Sequence, residues 1–203
     1  MIIGLHGYAR SGKDSLAEVL IKEQGFRRIA FADNIRNSVY RLNPIVEWVD
    51  QKNPVSIQTL VDKIGWEDAK INYPEVRRLL QVFGTEVGRE LFDENIWVSL
   101  ALNGVDPSEN IVITDMRFIN EAIAVQNANG LLVKINRPGV GPINTHASDA
   151  GLPDEIFDFV LNNDGSLEDW HKQTRGMFSE FEKTFLFKDA PPRYGDFESS
   201  VAG

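Results

Sequence analysis

An apolar strand, a glycine-bounded loop and an amphipathic helix follow one another at the start of this chain, and that order constrains the fold more than any other feature. The strand is Ile2–Leu5 and the loop is Gly7-Tyr8-Ala9-Arg10-Ser11-Gly12-Lys13-Asp14. The helix runs from Asp14 to Gln24 with Leu16, Val19 and Leu20 on one face, and Gly25 stops it. The loop has Walker A spacing. Its glycines let the backbone curl so tightly that successive N–H groups face one phosphate, and the helix N-terminus adds partial positive charge. Lys13 is positioned to reach the β and γ phosphates of a bound triphosphate. The residue after the lysine is usually Ser or Thr, whose hydroxyl binds Mg²⁺. Here Asp14 stands there and Ser15 follows, so either could serve the metal, directly or through water.

Four more short runs rich in β-branched residues read as strands: Arg27–Phe31, Ile111–Thr114, Leu131–Asn136 and Asp158–Asn162. Helical spacing separates them, at Ser56–Ile64, from Pro74 through Phe83, from Asp93 through Ala101, at Phe118–Asn129 and from Leu167 to about Phe185. Alternation of this kind predicts an α/β fold of three layers, a five-stranded parallel sheet covered on both faces. The expected organisation is one domain over 1–187. A stretch of helices only, about 34–104, is inserted over the carboxyl edge of the sheet. A loop at about 137–152, with Arg137, His146 and Ser148, reads as a lid, and 188–203 as a loose tail.

Composition narrows the partners. The 203 residues hold no cysteine, which excludes disulfides, thiolate metal sites and cysteine nucleophiles and fits a reducing cytoplasm. A net charge of -9 argues against a general nucleic-acid binder, which needs positive charge to displace counterions. No apolar run is long enough to span a bilayer, and Met1-Ile2-Ile3-Gly4 reads as strand rather than leader.

In a doubly wound sheet the ligand sits at the carboxyl ends of the strands. Asp115 and Arg117 follow the third strand there, Asp115 as a metal-water ligand or an orienting base, Arg117 as a grip on phosphate. Glu121, one helical turn further, could hold the guanidinium; an N-cap aspartate with a surface Arg–Glu pair would read the same way. In the insertion, Arg77, Arg78 and Arg89 surround Leu79–Glu86, and Gly84 and Gly88 could break that helix and bend it.

Taken together, the sequence resembles the phage deoxynucleoside monophosphate kinases from Ile3 to about His171. The resemblance rests on Ala9-Arg10-Ser11-Gly12-Lys13-Asp14-Ser15, Phe31-Ala32-Asp33, Leu80-Gln81 with Gly84-Thr85-Glu86, Asp115-x-Arg117-Phe118-x-Asn120-Glu121, Arg137-Pro138-Gly139, His146-x-Ser148 and Asn163-Asp164-Gly165-Ser166. It implies a P-loop kinase fold that moves the γ-phosphoryl group of ATP, with Mg²⁺, onto a deoxynucleoside monophosphate. It further implies donor contacts from Gly7, Arg10, Ser11, Gly12, Lys13, Asp14, Ser15, Arg137 and Asn163, the last near adenine. Metal contacts fall to Asp14, Ser15 and Asp115, and catalysis to Lys13, Asp115, Arg117 and Glu121. Acceptor contacts fall to Asp33, Arg78, Arg89, Arg117 and Glu121. A homodimer in the cytoplasm of an infected bacterium is part of the same implication. Two other classes share the loop: a dephospho-coenzyme A or other small-metabolite kinase, and a nucleotide-binding switch with no small acceptor.

Overall fold

The computed structural model describes residues 1–50, 53–141 and 151–185. In chain order the elements are β1 (Ile2–His6), α1 (Lys13–Gln24), β2 (Arg27–Ile29), α2 (Phe31–Leu42), β3 (Ile45–Asp50), β4 (Asn53–Ser56), α3 (Ile57–Asn72) and α4 (Pro74–Val82). A π-helix (Phe83–Phe92), α5 (Ile96–Leu102), β5 (Ile111–Ile113), α6 (Ile119–Asn127), β6 (Leu131–Asn136), a 3₁₀ turn (Asp154–Ile156), β7 (Phe159–Asn162) and α7 (Leu167–Phe185) complete them. They form two compact units, Met1–Ala30 with Gly104–Gly203, and Phe31–Asn103.

The first unit is an α/β layer structure around one five-stranded sheet, order β2-β5-β1-β6-β7. Every pairing in it is parallel, with Ile3 opposite Val112 on one side and Leu5 opposite Val133 on the other. Alternation along β1 assigns the faces. Ile3 and Leu5 are fully buried among Leu16, Leu20, Trp170, Phe178 and Phe181, so α1 and α7 cover that face. Gly4 points the other way, where a Cβ would lie 3.0 Å from Met116 Sδ and 3.3 Å from a Val125 methyl of α6. The chain winds to one side of β1 through β2 and β5, then to the other through β6 and β7. The winding reverses at the carboxyl end of β1, where an open α/β sheet binds its ligand, and the glycine-rich loop follows β1 directly.

The second unit corrects the expectation of helices only. Ile45–Asp50 and Asn53–Ser56 pair as an antiparallel ribbon. Ile45-Val46-Glu47-Trp48-Val49 is β-branched and aromatic, which favours a pleated surface over a helix, while the charges between these residues hide the run from a search for apolar blocks. The strand expected at Arg27–Phe31 ends at Ile29, because Phe31 opens α2. The helix expected at Ser56–Ile64 runs on to Asn72 through a kink at Gly65, φ +76°.

Gly84 and Gly88 do not break the helix after α4. It continues as a π-helix, and both glycines serve close approach instead. A Cβ at Gly84 would lie 2.9 Å from Ile35 Cδ1, and one at Gly88 2.4 Å from the Trp97 ring. Trp97, buried, donates its Nε1–H to Gly84 O at 2.6 Å. A π-helix of this length is rare, and this one is wedged by an indole that only glycines admit. Most of the expected lid, including His146 and Ser148, and the expected tail lie outside the described residues.

Candidate active site

Curling successive N–H groups toward one centre turns their carbonyls outward, and each buried carbonyl needs a donor. The loop after β1 meets that demand from the Ser11 and Leu16 amides, which reach Tyr8 O and Gly12 O, from its own lysine and from three distant side chains. Lys13 Nζ donates to Gly7 O and Tyr8 O, both at 2.7 Å. Arg137 Nη1 donates to Arg10 O at 3.2 Å, and Arg10 itself has φ +67°. Asn163 Nδ2 donates to Ser11 O at 2.8 Å, and Trp170 Nε1 to Gly12 O at 3.2 Å. The loop is thus shaped before any anion arrives.

Gly7 is fixed by sterics. A Cβ there would lie 2.6 Å from Ile135 O and 2.7 Å from Ser11 Oγ. The Ser11 hydroxyl is fully buried and makes no hydrogen bond among the described residues, so it is a polar atom held ready inside the loop. Ser15 faces elsewhere: its hydroxyl is 3.1 Å from His171 Nε2 on α7. Asp14, the neighbouring residue, is exposed at the start of α1.

Burial is the main reason that the Lys13 ammonium is pushed down to about 8, and the Arg117 charge adds to it; Asp14 and Asp115 pull the other way. These influences place Arg117, Asp14 and Asp115 within electrostatic reach of Lys13 in the same unit. Two carboxylates beside a loop of this shape are a donor set that would suit magnesium, which keeps waters and shares phosphate oxygens. Among the described residues no group of three or more His, Asp or Glu could hold a metal by itself.

Glu121 is buried, and its Oε2 accepts from the amides of Arg117 (2.6 Å) and Phe118 (3.1 Å). It therefore ties down the backbone on which Arg117 rides, as an acid in the first turn of α6 should. His6, also buried, stacks on Phe157 and bonds Met116 O through Nδ1 at 3.0 Å. Burial, reinforced by the nearby cations of Lys134, Lys13 and Arg117, holds its imidazole below the ordinary range, so the ring is neutral and Nδ1–H is the donor. His6 and Glu121 thus fix the Asp115–Arg117 turn from two sides.

The remaining candidates belong to the second unit. Arg78 is exposed and grips Glu75 through two bonds of 2.7 and 2.6 Å. Arg89 Nη1 donates to Glu94 O at 3.0 Å, and Asp33 lies 4.0 Å from the Arg36 guanidinium. The structure so brings Lys13, Asp14, Asp115, Arg117 and Glu121 into one unit and leaves Asp33, Arg78 and Arg89 in the other. Nothing in the sequence marks His6, Trp170 or His171 as neighbours of the loop and the Asp115–Arg117 turn. A tryptophan four residues into an amphipathic helix reads as core, and nothing local marks its indole N–H as a partner of the loop.

The sequence model of the family described as deoxynucleotide monophosphate kinase matches residues 47–174. That span holds the Asp115–Glu121 turn and the Asn163–Trp170 corner. A relative from Acanthamoeba polyphaga mimivirus, provisionally named a deoxynucleotide monophosphate kinase, is 30% identical over 188 residues, covering 85% of this chain and 93% of the relative. The deoxynucleotide monophosphate kinase of Escherichia phage RB69 is 36% identical over 113 residues, which is 53% of this chain and 43% of that protein. Among solved structures, a dephospho-CoA kinase from Campylobacter jejuni aligns with 90% of this chain and 98% of its own at 16% identity and a TM-score of 0.45.

Proposed function

Because this chain belongs to the deoxynucleotide monophosphate kinase family, we propose that it moves the γ-phosphoryl group of ATP to the 5′-phosphate of a deoxynucleoside monophosphate, giving ADP and the diphosphate. The observation that carries this reading is the loop of braced amides with the Lys13 ammonium across its mouth, beside Asp115 and Arg117. The acceptor is already an anionic phosphate oxygen, so the work is positioning and charge neutralisation rather than strong base catalysis. Lys13 exchanges its two carbonyl partners for phosphate oxygens and stays with the charge as it moves to the leaving ADP. Arg117, anchored through Glu121, offsets the charge of the acceptor and the transferring group. Magnesium, held through Asp14 and Asp115 with phosphate oxygens, would supply further charge neutralisation. The engagement of Ser15 by His171 favours Asp14 over Ser15 in that role. Asp33, Arg78 and Arg89 would hold the acceptor, which requires Arg78 to leave Glu75. On this reading the enzyme works on small nucleotides in the cytoplasm, as a homodimer, with no nucleic-acid or membrane partner.

The test is ADP release from ATP and Mg²⁺ with each deoxynucleoside monophosphate, with dephospho-coenzyme A, and with no acceptor. Release that requires a deoxynucleoside monophosphate supports the proposal. Release with dephospho-coenzyme A alone, or equally without acceptor, overturns it.

The depressed Lys13 ammonium predicts the pH dependence. Below about 8 the group is charged and attracts the triphosphate; above it the neutral amine does not. The kcat/KM for ATP, which reports the free enzyme, should therefore fall on an alkaline limb near pH 8. Arg117→Ala removes a cation that pushes Lys13 down, so the limb should move to higher pH while turnover drops by roughly 10²-fold. A limb that stays in place in Arg117→Ala would separate the two charges.

A further inference from the structure

The family reading uses the inner, amide-bearing side of the loop and expects Asn163 near adenine; the outer, carbonyl-bearing side is braced by Asn163 and Trp170, a role it gives to neither. We propose that Asn163 and Trp170 are positioning residues for the donor triphosphate, a clamp from the β7–α7 corner that holds the carbonyls of Ser11 and Gly12 outward so that the amides after them face the phosphates.

The residues meet tightly. Asn163 and Trp170 are both buried, and their N–H groups end on adjacent loop carbonyls at 2.8 and 3.2 Å. A Cβ on Gly12 would lie 2.4 Å from Asn163 Nδ2 and 3.1 Å from Trp170 Nε1, so the clamp touches the loop backbone directly. Both clamp residues are themselves fixed. The Asn163 amide nitrogen of the backbone donates to Asn136 O at 2.8 Å, extending the β6–β7 ladder by one bond. Trp170 sits in the core with Leu16, Leu20 and Leu161, and its own N–H starts the second turn of α7 by donating to Ser166 O at 3.0 Å. One residue further, His171 reaches Ser15 on α1, so the same helix turn also steadies the helix that leaves the loop.

The division of labour follows from what each donor does on binding. Lys13 must give up Gly7 O and Tyr8 O to reach a phosphate, so the front of the loop loses its internal brace as the ligand arrives. Asn163 and Trp170 reach the loop from behind and need not move. Their bonds persist, and the rear amides keep their aim. A preorganised amide ring lowers the cost of ordering on binding, which appears as donor affinity. The acceptor gains nothing from it directly.

The test rests on the proposed kinase reading only for the choice of donor, and its readout is binding rather than transfer. Titrate the full chain with ATP and Mg²⁺ in the absence of acceptor, for the parent, Trp170→Phe, Asn163→Ala and Phe178→Leu, and record the melting temperature of each. Trp170→Phe keeps the aromatic bulk and deletes the N–H. Phe178→Leu injures the same helix in the core, away from the loop. The expected result is an ATP Kd raised about tenfold in Asn163→Ala and several-fold in Trp170→Phe. Phe178→Leu should melt earlier and bind ATP as the parent does. Parent-like ATP affinity in both clamp variants overturns the proposal. So does a loss that tracks melting temperature across all three variants. If the parent binds ATP but phosphorylates no deoxynucleoside monophosphate, the kinase reading fails while the clamp is still decided by the same titrations. A parent that ignores ATP defeats both.

Discussion

Lys13→Ala should lower kcat by roughly 10²–10³-fold in a protein that remains folded. The ammonium donates to Gly7 O and Tyr8 O, and Tyr8 O keeps the Ser11 amide at 3.2 Å when the lysine is gone. Burial disfavours the charged form, as the lowered ammonium shows, so removing it relieves one penalty while Gly7 O loses its lysine donor. The sign for stability follows. A lysine at about 8 when folded and 10.5 when unfolded costs stability in full below pH 8, and the cost fades as pH rises toward 10.5. Without nucleotide, Lys13→Ala should therefore melt close to the parent at pH 7, the relieved charge burial offsetting the lost Gly7 O bond, with that relief shrinking in alkaline buffer. ATP affinity should fall less than kcat, because the charge acts most where phosphoryl charge is moving. Stopped turnover in a well-folded variant identifies the lysine with the chemistry; parent-like kcat would remove Lys13 from the mechanism.

The second large effect is expected of Gly12→Ala, which should weaken ATP binding by well over tenfold and lower the melting temperature as well. Two costs add. Gly12 has φ +110°, a conformation that an alanine adopts only with strain of about 1–2 kcal/mol. Its Cβ would also enter the space of Asn163 Nδ2 at 2.4 Å, which must either break its bond to Ser11 O or push the loop forward. Overpacking of this kind costs about 1–3 kcal/mol. A double variant separates the two. Gly12→Ala with Asn163→Ala should recover part of the melting temperature, because the clash partner is gone, and should recover little ATP affinity, because the brace is gone too. Additive losses in both readouts would mean that the two residues do not meet in solution as they do here.

Much of this architecture is local enough to read along the chain. Strand, loop, lysine and helix succeed one another over the first 24 residues, and each step is dictated by neighbours: apolar alternation, glycine at positive φ, then helical spacing ended by Gly25. Asp115 and Arg117 are legible for the same reason, since they directly follow a short apolar strand and precede a helix whose first-turn acid, Glu121, reaches back three and four residues. The misreadings lie where tertiary packing outweighs local preference. Gly84 and Gly88 look like helix breakers, yet Ile35 and Trp97 fill the space that their missing side chains leave. The Ile45–Asp50 ribbon needs its partner strand to make sense of an interrupted apolar run.

The sequence by itself determined that a glycine-bounded loop with Walker A spacing joins the first strand to the first helix, and that a parallel sheet carries it, because those properties depend on residues a few positions apart. Only the tertiary structure decided what holds that loop in shape. Asn163 and Trp170 lie 152 and 158 positions from the carbonyls they hold, and Arg137 lies 127 from its own. Donors so remote meet their acceptors only once β6 and β7 have paired beside β1 and α7 has packed back over α1. Hydrogen bonds fade within fractions of an ångström and with modest changes of angle, so no spacing along a chain can specify them.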